Sequence, residues 1–345
     1  MDKSLDLFCS ILSRETGLTF PTSRYSFVLN RLTPLLEKYG ISSPSELILK
    51  SKQDFKLRID IVNTLTTNET WFFRHPEHFE ILKNDVFPEI IKRKKDKRIN
   101  IWSAGCSIGA ELYSILITLR ESIPNYDDYR ISILGSDISY DAILLAKKAV
   151  YDNYDLRATD KAIINKYFDK AENDTFKIKE ELKQNVTFEF LNLLETWPPR
   201  NFDIIFCRNT MIYFNKETKK SLVKRFFKAL ELNGYFFTST NELIDIKKDD
   251  NYGVKKLYIG NECIYQKTSN VNKTCELFFK NSTELLKATN LLRKVSYSFQ
   301  FGPAIKDNNG KEIRSLVVSS SNYENILKYL ISNSVVPTNH RKTYR

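Results

Sequence analysis

From residue 99 onward, short apolar runs alternate with amphipathic stretches: INIWSAG then ELYSILITLRES, RISILGSDI then YDAILLAKKAV, VTFEFLNLL, FDIIFCRN then KETKKSLVKRFFKAL, and GYFFTST. Few folds satisfy that grammar. Strands joined through helices form a mostly parallel sheet with helices on both faces, so the chain reads as α/β and Rossmann-like. In such a sheet, ligands collect beyond the carboxyl ends of the strands, where strand order reverses. The loops after these runs are where binding residues are expected.

The rest of the chain arranges itself around this unit, 99–267. Residues 1–83 read as an all-helical domain, with Leu5, Phe8, Ile11 and Leu12, then Val28, Leu29, Leu32, Leu35 and Leu36, at helical spacing. In SSPSE, Ser43 is a cap, Pro44 a first-turn residue and Glu46 the reciprocal acid of a new helix. The basic run KRKKDKR sits in a stretch, 84–98, read as a solvated linker. Residues from about 172 to 190 read as a small antiparallel β insertion, and GVKKLYIGNECIYQK as a hairpin closing the sheet. Beyond it, 271–334 reads as a small α/β domain in the order strand, helix, strand, strand, helix. Residues 335–345 read as a loose tail.

The net charge of +11 invites an anionic partner. From Thr268 on, 12 Lys and Arg face 5 Asp and Glu, so much of the excess lies at the C-terminal end. Cys9, Cys106, Cys207, Cys263 and Cys275 are scattered and free of CxxC spacing, which points to reduced thiols in a cytoplasmic protein. No leader pattern and no run of membrane-spanning length are seen. His75 and His78 form HxxH, but with three histidines and no acid-and-thiol set nearby no metal is expected.

SAGCSIG follows a predicted strand and opens a helix, placing backbone N–H groups beside a ligand. Gly105 and Gly109 lack the full dinucleotide spacing, and no Lys completes a phosphate loop. Asp137, at the end of the next strand, is placed to accept from ribose hydroxyls. Together they point to a nucleoside without a demand for phosphate.

NxTxFFR, WSAGCSxGxExYS, SDIS, NLL and FCRNxxIYF occur in that order, and over about residues 5–267 the chain resembles the chemotaxis receptor glutamate methyltransferases of the CheR type. The resemblance implies S-adenosyl-L-methionine as methyl donor, S-adenosyl-L-homocysteine as product, and glutamates on the cytoplasmic helices of methyl-accepting chemoreceptors as acceptors. It places Asn68, Thr70 and Arg74 on the cofactor pocket beside Gly105, with Arg74 near the cofactor carboxylate and the transfer site. Glu111 would take the methionyl end, Asp137 the ribose, and Asn192 and Leu193 the adenine side. Arg208, Asn209 and Tyr213 would stand where donor meets acceptor. Arg24 and Arg31 match the family's basic receptor-docking helix, while Pro34, Leu35 and Glu37 replace further basic positions.

The implied chemistry needs no general base, because a glutamate of ordinary pKa near ~4.3 is ionised at neutral pH. Alignment of carboxylate, methyl and sulfur is the task, and proximity of this kind can supply roughly 7 to 11 kcal/mol. Three departures from the family pattern stand out. Ala110-Glu111-Leu112 keeps one of two acids, and Ser239-Thr240-Asn241-Glu242 replaces Gly-His-Ser-Glu. DKAENDTFKI lacks the glycine-rich loop that holds a receptor's C-terminal pentapeptide, so no such tether is expected. Two other functions are open to a chain of this composition: a nucleic-acid methyltransferase using the basic surface, to which Trp197-Pro198-Pro199-Arg200 bears a loose likeness, and a cofactor-binding regulator without turnover. No DNA partner and no membrane insertion are expected.

Overall fold

The computed structural model describes residues 3–197, 200–246, 253–268, 273–279, 282–294, 299–306, 312–319, 323–335, 337 and 339–344. It divides into two compact units, Met1–Ser269 and Asn270–Arg345.

The first unit begins with four helices: α1 (Lys3–Thr16), α2 (Tyr25–Tyr39), α3 (Pro44–Lys50) and α4 (Phe55–Leu65). Their ends are encoded locally. Ser43 Oγ accepts the Glu46 N–H at 3.3 Å to cap α3, and Asp54 caps α4 through the Leu57 N–H at 3.0 Å. Gly40, at φ +60°, stops α2. Phe8, Leu12, Val28, Leu32, Leu47 and Ile61 form the core of this helical layer.

The polar strip 66–71 then leads into α5 (Pro76–Ile81), a wide π turn over Leu82–Val86 and α6 (Phe87–Arg93). This corrects the expected solvated linker at 84–98. Val86, Phe87 and Ile90 are fully buried against the sheet. Arg93 and Lys94 lie 3.1 and 2.9 Å from the buried carboxylate of Asp203, so two of the basic charges neutralise an acid inside the fold. Lys95, Lys97 and Arg98 remain exposed.

The sheet is built by β1 (Arg98–Ala104), α7 (Ala110–Ser122), β2 (Arg130–Asp137) and α8 (Tyr140–Lys148). A small subdomain follows: β3 (Val150–Tyr151), α9 (Lys161–Tyr167), β4 (Phe168–Lys170), β5 (Phe176–Ile178) and α10 (Glu180–Lys183). The chain then returns through β6 (Val186–Phe190), β7 (Phe202–Phe206), α11 (Lys216–Ala229), β8 (Leu230–Phe237) and the hairpin β9 (Val254–Ile259) and β10 (Glu262–Lys267). The order of the seven strands is β6-β2-β1-β7-β8-β10-β9, parallel through β8. The antiparallel hairpin closes one edge. Strand order reverses between β1 and β7, which fixes where a ligand cleft can open.

The small antiparallel sheet exists, in the order β3-β5-β4, but it begins at Val150 and ends at Ile178. Val186–Phe190, read in the sequence both as a run of the main sheet and as the end of this insertion, is the parallel edge strand of the main sheet, paired with β2. A two-residue strand such as β3 has no period to read, which is why the boundary shifted.

In the second unit, β11 (Lys273–Phe278), α12 (Ser282–Lys294), β12 (Phe299–Lys306), β13 (Glu312–Ser319) and α13 (Tyr323–Ser332) follow the expected order. Leu277, Phe279, Ala288, Leu292, Leu316, Ile326 and Leu330 form its core. The expected loose tail is corrected by β14 (Asn339–Tyr344), which pairs antiparallel with β11 at the sheet edge. Its polar NHRKTY lacks apolar alternation, a composition that edge strands tolerate. Among the described residues no helix is long and apolar enough to cross a membrane.

Candidate active site

Four strand ends meet where the sheet reverses. After β1 the chain turns at Gly105, at φ +83°, and its N–H donates to Ser136 O at 2.7 Å, folding the loop onto the end of β2. A Cβ here would stand 2.1 Å from Thr210 Oγ1, so only glycine fits. The fold also presents Ser107 N–H to Asp137 Oδ2 at 2.8 Å, while Ser139 N–H reaches Oδ1 at 2.8 Å. Both carboxylate oxygens are thereby fixed, and a carboxylate has acceptor capacity beyond these backbone donors. Burial pushes this carboxyl up from its ordinary range, and the backbone donors pull it back.

Beyond β7 lies Arg208, 5% exposed. Its Nη2 donates to Arg74 O, and its Nε is 3.5 Å from Glu111 Oε2. Nε and Nη1 have no hydrogen-bond partner. An arginine this deep with unspent N–H groups is built to meet an anion. Glu111, on the first turn of α7, accepts from Ser103 Oγ at 2.8 Å. Burial raises its carboxyl above the usual range, and Arg208 and Ser103 oppose that shift.

The polar strip covers the other side. Ser107 Oγ donates to Asn68 O at 2.9 Å, and Asn68 Nδ2 donates to Ser139 Oγ at 3.2 Å, latching the strip to both strand-end loops. Phe72 points the other way, fully buried against Tyr151 and Phe168. Phe73 and His75 take left-handed backbone, φ 56° and 61°, which turns Arg74 into the cleft. Arg74 lies 4.4 Å from the centre of the Trp71 ring and donates from Nη1 to Glu69 O at 3.0 Å. These surfaces enclose a cleft of about 930 Å³, open mouth included, of the size that holds small-molecule cofactors.

Residues 68–259 match the family model described as CheR methyltransferase, SAM binding domain. Among similar proteins, the chemotaxis protein methyltransferase of Borreliella burgdorferi is 32% identical over 263 residues, 74% of this chain and 93% of that protein. Chemotaxis protein methyltransferase 1 of Pseudomonas aeruginosa is 33% identical over 246 residues, 70% of this chain and 90% of that one. The chain belongs to the CheR methyltransferase family. Its cofactor is S-adenosyl-L-methionine, and the cleft of this CheR methyltransferase suits that molecule: an oriented buried carboxylate for hydroxyls, a second for an ammonium group, and Arg74, whose Nε is buried without a hydrogen-bond partner, for a carboxylate.

Asn68, Thr70, Arg74, Gly105, Glu111, Asp137, Asn192, Leu193, Arg208, Asn209 and Tyr213 all line this cleft of the CheR fold, although they come from five separate segments. Two of them are used differently from what their side chains suggest. The Asn192 amide is spent locally, donating to Glu15 O at 2.7 Å and accepting from Leu194 N–H at 3.0 Å, so it ties the loop after β6 to the end of α1. Tyr213 accepts from Thr19 N–H at 3.0 Å through its carbonyl and packs against the helical core. Arg24 and Arg31 are not among the lining residues: they flank Phe27 on α2, with Arg31 also donating to Thr64 O at 3.0 Å.

Sequence reasoning did not single out Trp71, Ser107 and Thr210, which line this CheR cleft, and named Glu242 only within the departure Ser239-Thr240-Asn241-Glu242. Glu242, only 6% exposed, accepts from Asn209 N–H at 2.6 Å, Ile212 N–H at 2.9 Å and the Ser239 hydroxyl, so it holds the Arg208 loop. Its signal was an acid in the loop after β8, a strand-end position. His78 lies outside the lining, with Nε2 facing Glu262 at 3.0 Å. Trp197 props the 193–195 loop through Nε1–H to Leu193 O at 3.1 Å, while Pro198 and Pro199 lie outside the described residues.

Proposed function

We propose that this CheR methyltransferase esterifies glutamate side chains on the cytoplasmic helices of chemoreceptors, the adaptation step of chemotaxis, and that it works in the cytoplasm. The observation that carries the reading is Arg208, which lines the same cleft as Glu111 and Asp137 and whose buried Nε and Nη1 have no hydrogen-bond partner. Relatives in Borreliella and Pseudomonas named as chemotaxis methyltransferases support it.

In this reading the cofactor supplies an electrophilic methyl group on sulfonium. Asp137 binds the ribose hydroxyls, Asn192 and Leu193 the adenine side, and Glu111 the methionyl ammonium. Gly105 lets the backbone come close, while Asn68 and Thr70 close the pocket from the strip. Arg74 meets the cofactor carboxylate, and Arg208, Asn209 and Tyr213 orient the acceptor. The acceptor arrives ionised, so the residues must align it and exclude water rather than take a proton. Arg208 shares its charge with Glu111 at 3.5 Å, which suits a loose orienting contact better than a clamp that would hold ground and transition state alike.

Arg24, exposed beside Phe27, and Arg31 form the proposed contact with an acidic receptor helix. A pentapeptide tether is not part of the proposal. The β4–β5 connection is tight, with Ala171 N–H donating to Thr175 O at 2.9 Å and left-handed Asn173 and Asp174 at its tip.

The test is transfer of radiolabelled methyl groups to receptor cytoplasmic fragments, followed by alkali treatment. Release of labelled methanol is expected. Tight cofactor binding without release would favour a regulator, and alkali-stable label on RNA or DNA would favour a nucleic-acid enzyme.

A further inference from the structure

Trp71 occupies an open position of the NxTxFFR motif and carries a cation on each of two contacts. Arg74 lies 4.4 Å from the ring centre, and Arg157, from the loop after β3, lies 3.9 Å from the same centre. Arg157 also stacks 3.7 Å from the Tyr154 ring. The loop is pinned to the strip by Phe72 N–H donating to Asp155 O at 2.9 Å. Two like charges thus share one indole, and among the described residues neither is in an ion pair with a carboxylate. Arg74 Nε is buried without a hydrogen-bond partner, whereas Arg157 is exposed. Stacking holds the guanidinium planes in place; Arg74 Nη1 is taken by Glu69 O and Arg157 Nη1 by Tyr154 O, which leaves Nε and Nη2 of Arg157 as its donors for a ligand. Asp155 beside Arg157 and Glu111 near Arg74 offset the two charges in part, and an arriving anion would offset them further. The pair lies at the cleft: Trp71 and Arg74 line it, while Arg157 extends the same stack onto the surface.

We infer that Arg157, stacked on Trp71, binds a second acidic side chain of the acceptor, beside the one that takes the methyl group. This rests on the proposed methylation of glutamate and names what that site selects: a helix with neighbouring carboxylates, in place of an isolated glutamate. Arg157 is then a specificity residue contributed by the small subdomain, and Trp71 is the platform that orients it.

The experiment compares full-length wild type, Arg157→Ala and Trp71→Leu on two synthetic helical peptides. One carries two glutamates a helical turn apart, and the other has the flanking glutamate replaced by glutamine. Both methyl transfer and peptide affinity by fluorescence anisotropy are read. For the two-glutamate peptide, Arg157→Ala is expected to lower kcat/KM and affinity about tenfold, an ordinary worth for a charge-assisted contact. With the glutamine peptide the loss disappears, and Arg157→Ala added to Trp71→Leu costs little more. Unchanged affinity for S-adenosyl-L-homocysteine in Arg157→Ala shows that the fold and cofactor site are intact. Equal losses on both peptides, or none on either, overturn the inference, as does an Arg157-dependent affinity for a short RNA that outcompetes the acidic peptide. If no peptide is methylated but the affinity pattern holds, the acidic site stands and the proposed reaction falls.

Discussion

The Asn209 N–H donates to Glu242 Oε2 at 2.6 Å, so a buried acid from the loop after β8 holds a left-handed residue, φ 55°, of the loop after β7. Oε1 holds the Ile212 N–H at 2.9 Å. No apolar contact could replace these bonds, since a lost acceptor leaves the part-buried Asn209 N–H without its carboxylate partner, at a cost of about 1–3 kcal/mol. Arg208 is the residue whose position depends on them. Glu242→Ala is expected to lower kcat by about a hundredfold through Arg208 misplacement. Glu242→Gln, which keeps one carbonyl acceptor, should recover part of that loss. Single-turnover methyl transfer measures both, and equal rates for Ala and wild type would remove Glu242 from the site.

Asp137 accepts from Ser107 and Ser139 with separate oxygens, so an amide cannot take its place: one of the two N–H groups would face an NH₂. Asp137→Asn is expected to weaken S-adenosyl-L-homocysteine by at least about tenfold, the worth of one charge-assisted hydrogen bond. Titration calorimetry decides it.

Gly105→Ala places a Cβ 2.1 Å from Thr210 Oγ1 at a backbone φ of +83°. Steric overlap and left-handed strain together should cost about 3 kcal/mol. The melting temperature should fall, and cofactor affinity with it. An unchanged melting curve would show that the loop has another stable form.

His78 is buried and held neutral, its pKa pushed down to about 3 by burial first and by the nearby Arg208 charge. A histidine depressed in the folded state gives stability that is complete above its unfolded value near ~6.5 and is lost as pH falls toward the folded value. The native protein should therefore weaken between about pH 6.5 and 4, by at most about 3 kcal/mol from this group. In His78→Gln the slope over that window should flatten, as read by urea unfolding at several pH values.

What the sequence revealed and what it withheld divide along physical lines. Gly105 and Asp137 were legible because a parallel sheet dictates where its strands end, and no partner needs to be known. Arg208 and Asn209 became legible only through the ordered motifs, since an arginine after an apolar strand is ordinarily a surface charge. Arg93 and Lys94 were misread as solvated because their partner, Asp203, is over a hundred residues away and shows no local pattern. Glu242 was named only as part of Ser239-Thr240-Asn241-Glu242, and its role was hidden for a similar reason: two of its partners are backbone N–H groups, which carry no residue signature. The 150–170 region and β14 escaped because strands of two residues, or polar strands at an edge, have no apolar alternation.

If Glu111 holds the methionyl ammonium as proposed, it links cofactor binding to pH. Burial raises its carboxyl in the free protein, against the pull of Arg208 and Ser103. A bound ammonium group would favour the ionised form, so binding should drive a proton off when the solution is acidic enough to have protonated the free site. The sign follows: affinity for S-adenosyl-L-methionine should fall as pH is lowered through the carboxylate range, and net proton release should accompany binding there. Glu111→Gln, which cannot ionise, should bind more weakly at neutral pH and lose both dependences. Calorimetry in two buffers of different ionisation enthalpy reads the proton count directly. If wild type and Glu111→Gln release the same number of protons near pH 5, the ammonium partner must be sought among other residues of the cleft.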